Sequence, residues 1–171
     1  MDQDDIKELI AANLAAKDEY DRLVSDELTD RGNPGPASDD AIAAAARVLG
    51  QNLPASYRAL LQVRNGIRFF DGDSHILAAE ELTQDWVKRE CAAKAELFVE
   101  FEGSNPFAKG AIPIMIGADS NAMLLWLPVG GVFAEYDIVE HVDDYETLFD
   151  YIEEDTGLIE EMAEEESGEA G

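Results

Sequence analysis

The sequence predicts an α+β fold: a mostly antiparallel sheet of about five or six strands packed against helices, with an extra N-terminal helix and an acidic C-terminal tail. Three observations carry this expectation. Apolar residues recur at helical spacing in several separate segments before about Phe98. From Ile112 the period switches to two, and strand-like segments follow one another through turns rather than through helices. A final helical segment then closes the pattern. The alternating βα order that builds parallel sheets is missing.

Each element has a local cause. Ile6, Leu9, Ile10 and Leu14 form one helical stripe that Leu23 and Val24 extend, and acids fill the first turn where the helix dipole favours them. The Pro/Gly-rich DRGNPGPASDD breaks this helix. Ser38 is placed to cap a second helix from about Asp39 to Leu49. Pro54 suits the first position of a third, with Tyr57, Leu60 and Leu61 facing inward. Asn65-Gly66 stops it, since glycine takes the left-handed conformation at low cost. Ile67–Phe70 reads as a strand, Asp71-Gly72 as a turn and residues 75–78 as a second strand. A longer helix is expected from Ala79 or Glu80 to about Phe98, with Leu82, Trp86 and Cys91 inward. Then come the alternating Ile112, Ile114 and Ile116, the two-faced apolar AMLLWL, a PVGG turn, VFAEY and a strand near Ile138–Val142. Asp143 or Asp144 would cap a last helix bearing Tyr145, Leu148, Phe149 and Ile152, which Gly157 can end. The organisation expected is an N-terminal helical extension (1–30), a central domain (38–156) and a flexible acidic tail (158–171), either a frayed helix or disordered.

Composition restricts function more than fold. The 171 residues hold 38 acids and 12 bases, a formal charge of −26. Every Lys and Arg lies at or before Lys109, so residues 1–109 carry 12 − 21 = −9 and residues 110–171 carry −17. Such charge disfavours nucleic acid and anionic membranes and favours basic partners. Cys91 is the sole cysteine, so no internal disulfide can form. The acidic start MDQDDIKELI lacks the basic start and apolar run of a signal peptide, and the longest apolar run is broken by Pro128 and two glycines. A soluble, cytoplasmic protein is expected.

The ordered series LPASYRALLQVRNG, IRFF, ILAAEEL, IPIMIGAD, a hairpin and DDYETLFDYIE resembles the SUKH superfamily, the Smi/Knr-type domain, over residues 38–156. The positions that carry the resemblance are Leu53-Pro54, Tyr57, Leu60-Leu61, Asn65-Gly66, the run from Ile114 to Asp119, and Tyr145 through Ile152. The resemblance implies a helix-backed antiparallel sheet and a non-enzymatic role. Bacterial members are often immunity proteins that bind and neutralise a cognate toxin, and eukaryotic relatives act as regulatory scaffolds. The N-terminal helix and the acidic tail depart from the family pattern.

Candidate residues follow from charge and alternation. In VFAEYDIVEHVDD, Phe133, Glu135 and Asp137 share one strand face, an aromatic anchor among carboxylates of the kind that suits an energetic interface. Trp126 faces a partner if helices cover one side of the sheet, and the core if they cover both. With Asp71, Asp73, Asp119 and Glu140, these residues are the expected partner-binding set. The partner expected is a toxin domain with a basic face, met by a monomer or weak homodimer; the alternative is a regulatory interaction module without a toxin. Catalysis has weak support. His75 and His141 belong to no motif, nothing nearby in sequence activates Cys91, and DGDSH is too short and wrongly spaced for an EF-hand-type calcium loop. A small hydrolase or metal enzyme would have to be built on Asp71, Asp73, His75 or Cys91. No cofactor or metal is expected.

Overall fold

A computed structural model describes residues 1–25 and 27–169. The chain forms two compact units, Arg31–Thr147 and the pairing of Met1–Asp30 with Leu148–Gly171. The larger unit holds helices α2 (Asp39–Leu49), α3 (Ala55–Val63) and α4 (Asp85–Glu102) and strands β1 (Ile67–Asp71), β2 (Ser74–Ile76), β3 (Ile112–Ile116), β4 (Ala122–Leu127), β5 (Val132–Asp137) and β6 (Glu140–Tyr145). The smaller unit holds α1 (Gln3–Val24) and α5 (Leu148–Glu169). This is the α+β class.

Local signals hold in the larger unit. The Ser38 hydroxyl accepts the Ala41 N–H at 3.1 Å and caps α2. Helix α3 begins just after Pro54 and buries Tyr57, Leu60 and Leu61 completely. The Tyr57 hydroxyl donates to the Leu77 carbonyl at 2.7 Å, so its one polar atom is satisfied in the core. Gly66 has φ +83°, and a Cβ there would lie 2.7 Å from the Ala78 nitrogen. Glycine is required here by conformation and by space.

The six strands pair antiparallel in chain order, so the sheet is a meander with β1 and β6 at its edges. On one face Met123, Leu125 and Val139 pack with Phe98 of α4 and Ala111, with Leu97, Phe107, Leu127 and Tyr136 closing around them. Phe98 meets Tyr136 edge-to-face at 5.1 Å. On the other face Leu124 and Phe133 are buried as well. All of β3 is buried, as a central strand requires.

Several boundaries differ from the sequence expectation. Residues 81–83 form a short 3-10 turn and α4 begins only at Asp85. Asp143 and Asp144 lie in β6 and cap no helix; the extended pairing with β5 continues to Tyr145. Leu23 and Val24 are exposed, so the inward stripe of α1 ends earlier, at Ala16 and Lys17. Helix α5 runs through Gly157 to Glu169, with Ala163 buried. The acidic tail (158–171) is therefore mostly helical, which agrees with a helix there and not with disorder; its last two positions lie outside the described residues.

The smaller unit is joined by buried polar groups. Lys17, 4% exposed, pairs with Asp155 at 2.7 Å. The Asn13 amide donates to Asp155 at 2.7 Å and to Thr156 at 3.0 Å. These bonds tie α1 to the turn of α5 around Gly157, which offsets the poor helix propensity of glycine there.

Candidate functional site

A meander places alternate connections at the same end of its sheet. Here the β1–β2 turn (71–74), the β3–β4 loop (116–122) and the β5–β6 turn (137–140) share one end. Asp71 and Asp73 come from the first, Asp119 from the second, Asp137 and Glu140 from the third, and all five are exposed. No Lys or Arg occurs within these three connections.

The connections are fastened to one another. The Ser74 hydroxyl, fully buried, donates to the Ala122 carbonyl at 2.6 Å. Gly117 lies against the Asp73 carbonyl so closely that no Cβ would fit. The Ile138 N–H donates to the Asn121 carbonyl at 2.9 Å. Ile138 takes φ +58°, which is strained for a β-branched residue and is held by this bond across the end of the sheet. Behind the loop, the buried Lys94 donates to the Ser120 carbonyl at 3.3 Å. Carboxylates at this end therefore stand on backbone fixed by its neighbours.

The remaining three candidates lie elsewhere. Phe133 is 1% exposed and meets the Trp126 ring at 4.9 Å in a tilted contact, so it is a core residue and not an exposed anchor. The alternation that put it beside Asp137 was sound, but the face is covered at that point. Trp126 is half-buried near the opposite end of the sheet, its ring close to Gly131 of the β4–β5 turn. Glu135 is half-buried in mid-strand and accepts the Tyr145 hydroxyl at 3.0 Å.

Sequence inspection missed a cleft next to the acidic end. It measures about 360 Å³ and is lined by Arg68, Phe69, Asp73, His75, Glu81, Trp86, Ala118 and Asp119. Its geometry starts from an irregularity in β1, where the register with β2 shifts between Ile67 and Asp71. Phe69 there has φ +48°, and its N–H donates to His75 Nδ1 at 2.7 Å instead of to the sheet ladder. The two rings meet edge-to-face at 4.8 Å, and Trp86 of α4 meets His75 at 6.4 Å. The Arg68 guanidinium lies over Phe69 at 5.6 Å. Burial holds the His75 imidazole below its ordinary value, helped by Arg68 and opposed by Glu81 and Asp73. An imidazole accepting at Nδ1 is neutral.

Other groups considered for catalysis have plain local settings. Burial pushes the Cys91 thiol up to about 12, so it stays protonated at neutral pH. His141 pairs with the exposed Asp144 at 2.9 Å. DGDSH is the β1–β2 hairpin turn. Among the described residues no group of three His, Cys, Asp or Glu could hold a metal ion, and no helix is long and apolar enough to cross a membrane.

No curated protein matches the chain significantly. The family model of the SMI1/KNR4 family (SUKH-1) matches residues 36–163, which covers the whole meander, α2, α3, α4 and much of α5 but not α1. The chain therefore belongs to the SMI1/KNR4 family (SUKH-1).

Proposed function

We propose that this protein is an immunity protein that neutralises a cognate toxin by direct, non-catalytic binding, presenting the acidic end of its sheet to a basic face of the toxin. The SUKH domain is known from immunity proteins in general. The observation that carries the reading is the convergence of Asp71, Asp73, Asp119, Asp137 and Glu140 on three mutually fastened connections without a basic residue. A rigid array of carboxylates repels its own kind and attracts cations over about a Debye length, roughly 8 Å at physiological salt. It steers encounter with a basic surface and costs little reorganisation on binding. A toxin acting on an anionic substrate has such a surface, and carboxylates would then fill positions that substrate phosphates occupy.

Co-expression tests this directly. The protein is expected to restore growth to cells making the toxin domain encoded beside its gene. A variant with the five carboxylates changed to Asn or Gln is expected to lose that protection while remaining folded. Equal protection by the variant would rule out the acidic end as the binding surface, and failure of the unaltered protein to protect or to bind would rule out immunity.

A further inference from the structure

The cleft beside the acidic end has a composition of its own. Phe69, His75 and Trp86 are all half-buried, so none of the three is sealed in the core. Their planes meet near right angles, 81° between Phe69 and His75 and 79° between His75 and Trp86, which makes a box rather than a stack. Three carboxylates, Asp73, Glu81 and Asp119, line the same space against one guanidinium, Arg68. Glu81 is partly committed, since its Oε2 accepts the Ala78 N–H at 2.8 Å. Trp86 has turned its indole N–H to Gln84 at 3.0 Å, which leaves its ring and not its donor to the cleft.

Aromatic walls lined together with carboxylates select a cation, because ring quadrupoles and carboxylates act with the same sign. A planar guanidinium suits the space better than an ammonium. It can lie against a ring and meet a carboxylate with two parallel N–H groups, and it is less strongly hydrated. The chain already makes this contact once, with its own Arg68 over Phe69. The neutral His75 adds no opposing charge.

We propose that this cleft receives one arginine side chain of the protein partner. The proposal rests on the reading of a basic protein partner and adds where and how that partner is held. Asp73 and Asp119 belong both to the acidic end and to the cleft, so the two surfaces are continuous. Long-range attraction and a short-range anchor are thereby joined at one place.

The test uses the full chain and three acetylated, amidated tripeptides, Gly-Arg-Gly, Gly-Lys-Gly and Gly-citrulline-Gly, titrated by NMR. The arginine peptide is expected to shift the Trp86 indole and the Phe69 and His75 resonances saturably. The citrulline peptide, its neutral isostere, is expected to leave them in place, and the lysine peptide to bind more weakly. Asp73→Asn with Asp119→Asn should weaken the arginine response at least about fivefold. No saturable shift, or an equal response to citrulline or lysine, overturns the proposal. In the toxin complex, Trp86→Leu separates the two claims, since it removes no charge. Loss of affinity in Trp86→Leu supports the cleft. Undiminished affinity in Trp86→Leu, alongside weakening by Asp137→Asn with Glu140→Gln, overturns the cleft and leaves the acidic end standing.

Discussion

At the scale of the residue, His75 and Gly117 shape the site. His75 Nδ1 is the acceptor for the Phe69 N–H, and a proton on that nitrogen would abolish the bond. Since burial keeps the native imidazole below 6.5, the unfolded chain takes up the proton first as pH falls. The stabilisation is fully present above about pH 6.5 and is lost as pH falls from there through the native value. An NMR titration should place His75 below 6.5, and urea midpoints should drop between about pH 7.5 and 5.5 in the unaltered protein but less in His75→Gln. A native value at or above 6.5 would contradict this. Gly117 tests the fastening of the connections. Gly117→Ala would force the β1–β2 turn away from β3, because the obstacle is the Asp73 backbone and not a movable side chain. The expected cost is above about 1 kcal/mol, read by chemical denaturation, with chemical-shift changes spreading to Asp119.

At the scale of the element, what the sequence revealed depends on how local each cause is. The Ser38 cap, the Asn65-Gly66 stop and the hairpin turns act within a few residues, and all three were visible in the chain. Helix α5 runs past the stop that Gly157 suggests, because the signal at Gly157 is local and its answer is not. Asp155 and Thr156 are held by Lys17 and Asn13, about 140 residues away in sequence. The irregularity in β1 is hidden for a different reason: its partner is only six residues on, but nothing in IRFF says that His75 will take the Phe69 N–H. Gly157 gives a prediction of opposite sign from Gly117. A Cβ there meets nothing within 4 Å and the backbone is helical, so Gly157→Ala should stabilise the protein by about 0.5–1 kcal/mol. Thermal unfolding checks it, and destabilisation would show that α5 needs the freedom of glycine.

At the scale of the whole molecule, the acidic candidates converge because of topology, Phe133 is no exposed anchor because its face is covered, and Trp126 stays half-buried at the opposite end. Asp71, Asp73, Asp119, Asp137 and Glu140 are spread over 70 positions, yet a meander in chain order brings every second connection to one end. The strand face of Phe133 could be assigned from alternation; whether that face is covered depends on the fold. Net charge of −26 also acts on the molecule at large. Self-repulsion among carboxylates opposes the compact state, so adding monovalent salt should raise the thermal midpoint of the free protein. The same salt should weaken the toxin complex, where the screened interaction is attractive. The dissociation constant of the purified complex at about 50 and 300 mM salt, for the unaltered protein and for the variant neutralised at the five carboxylates, brings these expectations together. The account predicts tight, strongly salt-dependent binding by the unaltered protein, with the variant weakened at least about a hundredfold at low salt and nearly insensitive to salt. Equal affinity and equal salt dependence of the two would contradict it.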